Sequence, residues 1–269
     1  MSASLAGLWI YPLKSAAALP LSECAVEARG LQDDRRWMLV DADGRFITGR
    51  QIGALVRIQA QPQASGLRLR APGQPELSVP VPSVLAPRRP STVWSDTVAA
   101  LDAGDAAAEW LSATLGQSCR LVYMDAAAQR PVDPKYAQPG DEVSFADGYP
   151  LLLISKAAID LLSSRVGEAM HPLRFRPNLL IDAVPAHAED QWRRIRIGAV
   201  EFEVVKPCVR CVFTTVDPDS GERHPGGEPL HSLKHYRRGP KGITFGQNLI
   251  ARAPGTLRLG DPLEILATR

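Results

Sequence analysis

Two cysteines, Cys208 and Cys211, lie three positions apart in the segment VVKPCVRCVFTTVDPDSGE, residues 204–222. Thiols at this spacing can hold zinc, work as a redox pair, close a disulfide, or bind a metal cofactor through one sulfur only. A redox pair of the thioredoxin kind needs its first cysteine at the start of a helix, whereas the β-branched residues around Cys208 predict a strand. A disulfide at this spacing would be strained, and a reducing compartment would disfavour it.

A zinc site is the obvious rival, because a pair of cysteines followed by histidines often holds structural zinc. Twelve residues separate Cys211 from His224, which matches the spacing in zinc fingers. Six residues then separate His224 from His231, where zinc fingers have about three to five. His231 and His235 are four positions apart but would require a much longer gap from the cysteines. The alternative is a single thiolate on a soft metal that an organic cofactor holds in its other positions.

An anionic cofactor would also need cationic and amide groups dispersed along the chain. Arginine binds phosphate through two parallel hydrogen bonds, so one or two such residues could anchor a phosphate. Taken singly, each arginine is more often a solvated or ion-paired surface residue, and only their occurrence together with the cysteine pair favours a cofactor site. The candidates are Lys14, Ser15, Arg35, Arg36, Arg50, Gln51, Arg174, Arg176 and Asn178.

The composition excludes some classes of partner. The chain of 269 residues has 31 Lys and Arg against 29 Asp and Glu, so it lacks the overall positive field of nucleic-acid binders. No stretch approaches the roughly 18 apolar residues of a membrane span, and the first residues do not read as a targeting signal. We therefore expect a cytoplasmic protein without membrane contact. Cys24 and Cys119 lie in alternating, strand-like segments and are expected to be buried, inert thiols.

The first 120 residues read as short strands separated by turns, with prolines concentrated in 62–90. This pattern predicts a small antiparallel barrel or sandwich, with a hairpin turn at Asp43-Gly44. A helix is predicted over 105–115, with Asp105 as N-cap and Gly116 as its left-handed end. Further strands are predicted over 55–60, 66–70 and 76–81.

The pattern changes after the irregular segment 125–147, which is expected to connect two domains. The run PLLLIS predicts a buried strand, and Ser155 is expected to cap a helix whose apolar residues share one face. A short helix is expected near 229–237, followed by two strands joined by Pro254-Gly255. The other strands are predicted over 178–182, 194–206 (a hairpin through Gly198) and 209–216.

Seven segments, in chain order, carry a resemblance to a known family: LWIYPLKS, DDRRWMLVD, ITGRQ, FRPNLLI, CVRCVFTTVDPDSG, FGQNL and PGTLRLGDPLEIL. They resemble signatures of MOSC-domain proteins that carry a MOSC N-terminal β-barrel domain. Within that group the chain is similar to the mitochondrial amidoxime-reducing components and the bacterial YcbX-like proteins, over essentially its whole length. The resemblance implies a mainly β fold with some α. An N-terminal antiparallel β-barrel-like domain (1–124) would be followed by a MOSC β-barrel domain with flanking helices (125–269).

The resemblance further implies a molybdenum cofactor, Mo-molybdopterin, whose metal is bound by Cys211. Cys208 would then be a packing residue. Asp147, in the segment FADGYP, would lie near the metal as a catalytic residue. The residues that would bind the cofactor are Lys14, Ser15, Arg35, Arg50, Arg176, Asn178, Cys211 and Thr214.

The activity implied by the resemblance is reduction of N-hydroxylated compounds (amidoximes, hydroxylamines or N-hydroxylated bases) to amines. The chain has no cysteines to spare for a plant-type iron–sulfur cluster. Electrons are therefore expected from a separate donor, either ferredoxin-like or cytochrome b5-like with its reductase. The sequence also lacks the G-x-S-x-G and H-E-x-x-H motifs of hydrolases, as expected if a cofactor carries the reaction. The alternatives are a carrier that binds molybdenum cofactor without turnover and a structural zinc module.

Overall fold

The computed structural model describes residues 2–269, which form short strands in four sheets together with three α-helices. The predicted fold class, mainly β with some α, is confirmed. The strands are β1 (Ser4–Ile10), β2 (Leu19–Pro20), β3 (Glu23–Glu27), β4 (Gly30–Leu31), β5 (Trp37–Val40), β6 (Gln59–Gln63), β7 (Gly66–Arg70), β8 (Leu77–Pro80), β9 (Arg88–Val93), β10 (Asp96–Asp102), β11 (Arg120–Tyr123), β12 (Leu151–Ser155), β13 (Leu179–Asp182), β14 (Trp192–Ile197), β15 (Val200–Val209), β16 (Arg238–Gly239), β17 (Gly242–Ala251), β18 (Gly255–Arg258) and β19 (Leu263–Thr268). The α-helices are α1 (Asp105–Leu115), α2 (Lys156–Val166) and α3 (Leu230–Tyr236), and 3₁₀ helices span Gly53–Arg57, Pro172–Phe175, Ala188–Gln191 and Val212–Thr215.

The largest sheet has the strand order β19-β14-β15-β17-β12-β13-β1-β2, with β16 paired to β17. β12 and β13 are parallel and α2 connects them, as the crossover between parallel strands requires. β1 pairs antiparallel with β13, so the end of β1 lies beside the start of β13. The chain after β1 and the chain before β13 therefore meet at one edge of the sheet. Leu8, Leu153, Leu179 and Phe202 belong to the apolar core of this sheet.

The smaller sheets have the orders β5-β11-β10-β9, β6-β7-β8 and β18-β3-β4. Leu39, Leu55, Leu69, Leu111 and Leu121 form the centre of a second core between the first two of these sheets and α1. Because β1 joins β13 and β3 joins β18, segments from the two ends of the sequence share sheets. The division between residues 124 and 125 stays a prediction.

Several local predictions are confirmed. Helix α1 spans the predicted residues and ends at Gly116 with a positive φ of 65°. Ser155 is the N-cap of α2, and Gly198 lies in the turn between β14 and β15. Cys24 and Cys119 are buried, and burial raises the pKa of the Cys24 thiol to about 12. Both observations agree with inert thiols.

Three local predictions outside the cysteine segment were wrong. The N-cap of α1 is Gly104, and Asp105 is the first helical residue. The predicted strand 55–60 is a 3₁₀ helix followed by β6, because the N–H groups of Leu55 and Ile58 donate to carbonyl oxygens three residues before them instead of to a neighbouring strand. The second of the two strands predicted on either side of Pro254-Gly255 is divided into β18 and β19, and β18 pairs with β3.

The predicted strand 209–216 does not form. β15 ends at Val209, and Cys211 is the N-cap of the 3₁₀ helix Val212–Thr215. The hydroxyl groups of Thr214 and Thr215 donate hydrogen bonds of 3.0 and 2.7 Å to the carbonyl oxygens three residues before them. These local bonds supply the partners that a strand would obtain from a neighbour, and they override β propensity.

No helix within residues 2–269 has both the length and the apolar character that crossing a membrane would require.

Gly246 provides a test of the packing between β17 and β12. Its φ is +76°, and a Cβ atom there would lie 2.7 Å from the carbonyl oxygen of Leu153. Gly246→Ala should lower the free energy of unfolding by about 2–4 kcal/mol, from left-handed strain plus steric overlap. Gly260→Ala is the matched control, because Gly260 also has a positive φ of 88° but has open space around it. Urea unfolding measures both variants, and equal losses would show that overlap at Gly246 contributes nothing.

Candidate functional site

A cavity of about 820 Å³ brings together every site residue that the resemblance implied. Arg36 and Gln51, from the wider set of candidates, do not line it: Arg36 donates to the carbonyl oxygen of Met124, and Gln51 accepts hydrogen bonds from Thr48. Its wall contains eight cationic and three acidic side chains, so the site is positively charged although the net charge of the whole chain is only +2. A cavity of this size and charge can hold an anionic organic ligand. The predicted residues that line it are Lys14, Ser15, Arg35, Arg50, Asp147, Arg176, Asn178, Cys211 and Thr214.

Connections at one edge of the largest sheet position most of these side chains. Lys14 and Ser15 follow β1, whereas Arg176 and Asn178 immediately precede β13. The pairing of β1 with β13 brings these two connections together. Asp147 lies just before β12, the parallel neighbour of β13. Cys211 and Thr214 follow β15, and Arg35 and Arg50 come from loops of the N-terminal half.

Four residues that line the cavity have left-handed backbone conformations. Their φ angles are 68° for Ser15, 50° for Arg35, 57° for Trp94 and 55° for Arg176. Each such residue costs of order 1 kcal/mol relative to an ordinary conformation. Strain of this kind persists where surrounding structure fixes it, and its concentration around one cavity is typical of a functional site.

Lys14 and Asp147 form the central ion pair of the cavity. Lys14 Nζ donates hydrogen bonds of 2.6 Å to Asp147 Oδ1 and to the carbonyl oxygen of Phe145. Burial lowers the pKa of Lys14 to about 8, although the Asp147 carboxylate favours the ammonium form. Burial also opposes ionisation of Asp147, but the charge of Lys14 outweighs it and holds the pKa of Asp147 well below its usual range. Asp147 lies deep in the molecule, yet 68% of its side chain is accessible because it faces the open cavity.

Arg130 holds the segment that carries Asp147. Its guanidinium group is buried and donates to the backbone carbonyl oxygens of Ser144, Ala146 and Asp147. Its Nε donates a hydrogen bond of 2.8 Å to Asp96 Oδ2. This single side chain therefore fixes residues 144–147, which include no strand or helix of their own.

Arg35 and Asn178 are held mainly by bonds within the protein. Arg35 Nη1 pairs with the buried carboxylate of Asp34 and donates to Asn178 Oδ1 at 3.0 Å. Asn178 Oδ1 also accepts a hydrogen bond from the backbone N–H of Leu152, and Nδ2 donates to the carbonyl oxygen of Trp9. Asn178 thus lies in the cavity wall mainly as a group that positions Arg35 and the strand ends.

Arg176 is less fully paired. Its guanidinium carbon lies 4.0 Å from the centre of the Tyr11 ring, and Nη1 donates to the carbonyl oxygen of Ala16 at 2.8 Å. Its buried Nη2 has no hydrogen-bond partner. Burial lowers the pKa of Arg176 to about 10, with the charge of Arg35 acting in the same direction. Two guanidinium groups, Arg35 and Arg176, therefore lie against one ring, Tyr11, while the buried carboxylate of Asp34 pairs with Arg35.

The two cysteines of the pair have different environments. Both cysteines line the cavity, but Cys211 is exposed and Cys208 is half-buried. Cys208 also packs against the core beneath α2 and α3. Arg210 Nη1 lies 2.8 Å from the sulfur of Cys208. Thr214 Oγ1 donates to the carbonyl oxygen of Cys211 and so fixes the turn that carries the exposed thiol. Cys211 is therefore the more accessible of the two thiols that line the cavity.

The structure does not gather ligands for a zinc site. Among residues 2–269, no three or more His, Cys, Asp or Glu side chains converge in a way that could hold a metal ion. His224 Nε2 lies 2.8 Å from Glu168 Oε1 instead of near the cysteines. The zinc-finger spacing between Cys211 and His224 is therefore coincidental.

The structure gives Arg174 a different role from the one expected, and it adds cavity residues that the sequence analysis did not select. Arg174, grouped with Arg176 in the sequence, pairs with Asp217 Oδ2 at 2.9 Å and donates to the carbonyl oxygen of Thr215. It stabilises the 3₁₀ helix after Cys211. The cavity residues that were not selected include Trp94, Arg130, Lys206, Arg210, Phe213 and Asn248. Arg210, Phe213 and Asn248 lie in segments that carry the family resemblance, whereas nothing in the sequence separates the other three from ordinary surface positions.

Comparison with known proteins identifies the family. Residues 2–118 match the MOSC N-terminal beta barrel domain, and residues 140–264 match the MOSC domain. The chain is 36% identical to mitochondrial amidoxime-reducing component 1 of Mus musculus, over 98% of this chain and 82% of the relative. It is 34% identical to the Homo sapiens protein of the same name, over 98% and 83%. The crystal structure of the YUAD protein from Bacillus subtilis aligns with 98% of this chain and 94% of its own, at 11% identity and a TM-score of 0.43. The chain belongs to the MOSC-domain proteins with a MOSC N-terminal β-barrel domain, the family of the mitochondrial amidoxime-reducing components.

Proposed function

We propose that the chain is a molybdenum-dependent reductase of N-hydroxylated compounds, and that its cavity holds Mo-molybdopterin with the Cys211 thiolate as the protein's metal ligand. The observation that carries this proposal is an exposed thiol in the same cavity as eight cationic side chains. The reaction type comes from the relatives, whose names state that they reduce amidoximes.

The side chains of the cavity fit an anionic metal cofactor. Its cationic groups outnumber its carboxylates, and the buried Nη2 of Arg176 has no partner within the protein. A thiolate is a ligand that suits a soft metal, and Cys211 is the accessible one. Lys14, Ser15, Arg35, Arg50 and Arg176 would hold the pterin and its phosphate, since arginine and lysine bind phosphate well.

Asn178 and Thr214 would act on the cofactor through other groups. The amide of Asn178 fixes Arg35, and the hydroxyl of Thr214 fixes the backbone of Cys211. We therefore assign both as positioning residues. Their contribution is to hold the binding groups in one arrangement before the ligand arrives, which lowers the cost of binding.

The bound cofactor supplies a two-electron reduction that, with two protons, converts an amidoxime into an amidine and water. At neutral pH the Asp147 side chain is a carboxylate, because the neighbouring ammonium of Lys14 outweighs the effect of burial and keeps its pKa low. It would accept hydrogen bonds from the N–H and O–H groups of the substrate and so orient the N–O bond. Lys14 holds a proton at Nζ beside this carboxylate.

The electrons would come from a separate protein, either ferredoxin-like or cytochrome b5-like with its reductase. A carrier that binds molybdenum cofactor without turnover would use the same cavity, so only a turnover assay separates carrier from reductase. The relatives are named as mitochondrial proteins, and the cytoplasmic location expected for this chain stays a prediction.

The first prediction concerns the metal ligand. Cys211→Ser should lose nearly all bound molybdenum and all benzamidoxime reduction, because serine replaces the accessible thiolate. Cys208→Ser is the matched control and should keep much of both, because Cys208 packs against the core. Elemental analysis and a dithionite-driven assay measure the two properties. Equal losses in the two variants would contradict the assignment of Cys211, and about one zinc per chain without molybdenum would contradict the proposed function.

A second prediction concerns Asp147. Asp147→Asn should reduce kcat/KM for benzamidoxime by about a hundredfold, because the amide cannot replace the charge and acceptor capacity of the carboxylate. Asp133→Asn, which changes another carboxylate of the cavity wall, should stay within about threefold of the wild type. Molybdenum content must be measured in both variants, because a loss of cofactor from Asp147→Asn would show that this residue supports binding instead.

A third prediction concerns pH and Lys14. The ammonium form of Lys14 attracts anions, and its pKa of about 8 means that this charge is lost as the pH rises through 8. Sulfate binding to cofactor-free protein should therefore weaken above pH 8, by up to about tenfold per pH unit. Sulfate stays a dianion across this range, and its binding can be followed through the thermal midpoint.

Lys14→Gln should bind sulfate more weakly and without this pH dependence. Arg50→Gln is the control, because it removes a cavity cation but leaves Lys14 in place. It should weaken sulfate binding at every pH and keep the decline above pH 8. If the wild-type decline persists in Lys14→Gln, another group is responsible.

A further inference from the structure

Three lysines and two tyrosines form a charged surface beside the cavity, called here the lysine–tyrosine patch: Lys135, Tyr136, Tyr149, Lys206 and Lys241. The ammonium groups of Lys135, Lys206 and Lys241 lie 5.6, 5.0 and 5.6 Å from the centre of the Tyr136 ring. Lys241 Nζ also donates a hydrogen bond of 3.0 Å to the Tyr136 hydroxyl. Lys206 lies 5.3 Å from the centre of the Tyr149 ring. Three like charges are thus gathered around one aromatic side chain.

No carboxylate neutralises the patch by direct contact. Among residues 2–269, the lysines that pair with a carboxylate are Lys14 and Lys156, and neither belongs to the patch. The nearby carboxylate of Asp133 accepts a hydrogen bond from the backbone N–H of Lys135. The pKa of Tyr136 reports the local field: it is lowered by the hydrogen bond from Lys241 and by the charges of all three lysines. The ammonium groups of the three lysines therefore repel one another, and an anionic partner surface would offset this repulsion.

The patch is continuous with the opening of the proposed active site. Lys206 and Tyr149 line the cavity that contains Cys211. Val209 packs against Gly242, the neighbour of Lys241. Val209 and Val212, on either side of the thiol, are 45% and 39% exposed. The exposed side chains of Val209 and Val212 therefore lie next to the lysine–tyrosine patch, whose lysines have no carboxylate partner within the part of the chain that the structure describes.

We propose that the lysine–tyrosine patch, with Val209 and Val212, is the docking surface for the electron-donor protein and that this donor presents an acidic face. The proposal rests on the proposed reductase function, since a reductase of this kind takes two electrons per turnover from its donor. Redox partners form small, transient interfaces, in which complementary charge steers and orients the encounter. The donor must also approach the opening, because its electrons have to reach a metal held at Cys211.

The test uses the cofactor-loaded chain with two changes, Lys135→Glu and Lys241→Glu. Both residues are exposed and neither lines the cavity. The donor probe is a reduced, acidic [2Fe–2S] ferredoxin of the plant type. The double variant should raise the KM for ferredoxin about tenfold at low ionic strength. The difference should vanish near 1 M salt, where the screening length is about 3 Å. Benzamidoxime reduction driven by saturating dithionite should stay within about twofold of the wild type.

The matched control changes two exposed arginines on other elements, Arg57→Glu and Arg193→Glu. It alters the net charge by the same amount and should leave the KM for ferredoxin nearly unchanged. An equal rise in both double variants, or no rise in the lysine variant, would overturn the docking surface. A wild-type chain that does not bind ferredoxin at low salt would overturn it as well.

Failure of the proposed function gives a different result. In that case dithionite supports no turnover in the loaded wild-type chain. Direct binding of ferredoxin, measured by its salt dependence, still tests the surface. Salt-sensitive binding that the lysine variant loses and the arginine variant keeps would support the patch, and binding that both variants retain would refute it.

Discussion

The buried amide of Asn178 joins three segments of the chain at the edge of the largest sheet. Nδ2 donates to the carbonyl oxygen of Trp9 on β1, and Oδ1 accepts from the backbone N–H of Leu152 on β12 and from Arg35. One amide thus supplies both donor and acceptor to groups that would otherwise be buried without partners, at a cost of about 1–3 kcal/mol each. The connections after β1 and before β13 carry three of the cavity's eight cations, Lys14, Arg174 and Arg176, so the arrangement of these three depends on this side chain.

The positive charge of the cavity wall affects the stability of the folded protein. The pKa of Lys14 is lower in the folded protein than in the unfolded chain. Lys14 therefore opposes folding below pH 8, and this opposition fades as the pH rises from about 8 towards its ordinary value. The unpartnered Nη2 of Arg176 adds an unmet hydrogen bond. An anionic ligand that binds only the folded state would compensate for both, by about 2.7 kcal/mol at a hundred times its dissociation constant. Ligand binding and folding are thus coupled at this site.

The sequence is sufficient to predict structural features that depend on the spacing of nearby residues. Helix α1 and its end at Gly116 follow from apolar periodicity and a residue that accepts positive φ. It is insufficient where side chains satisfy the backbone locally, as Thr214 and Thr215 do after Cys211, because strand propensity says nothing about such bonds. Arg130 was missed for a related reason: most of its partners are backbone carbonyl oxygens in an irregular segment, and these have no sequence signature. The motif residues of the cavity were predictable because a family resemblance, not spacing, indicated them.

The turn after β15 shows how an exposed thiol can still be precisely placed. Thr214 fixes the carbonyl oxygen of Cys211, and Arg174 ties the end of the same turn to Asp217. The backbone of the thiol is therefore rigid while its sulfur stays accessible. A strand continued through Cys211 would alternate neighbouring side chains between two faces and extend the chain past the opening. The one-turn helix instead stops the strand, so the thiol remains at the cavity with the exposed side chains of Val209 and Val212 beside it. Ending the strand at this point is thus what allows one short segment to serve both the cavity and the surface around it.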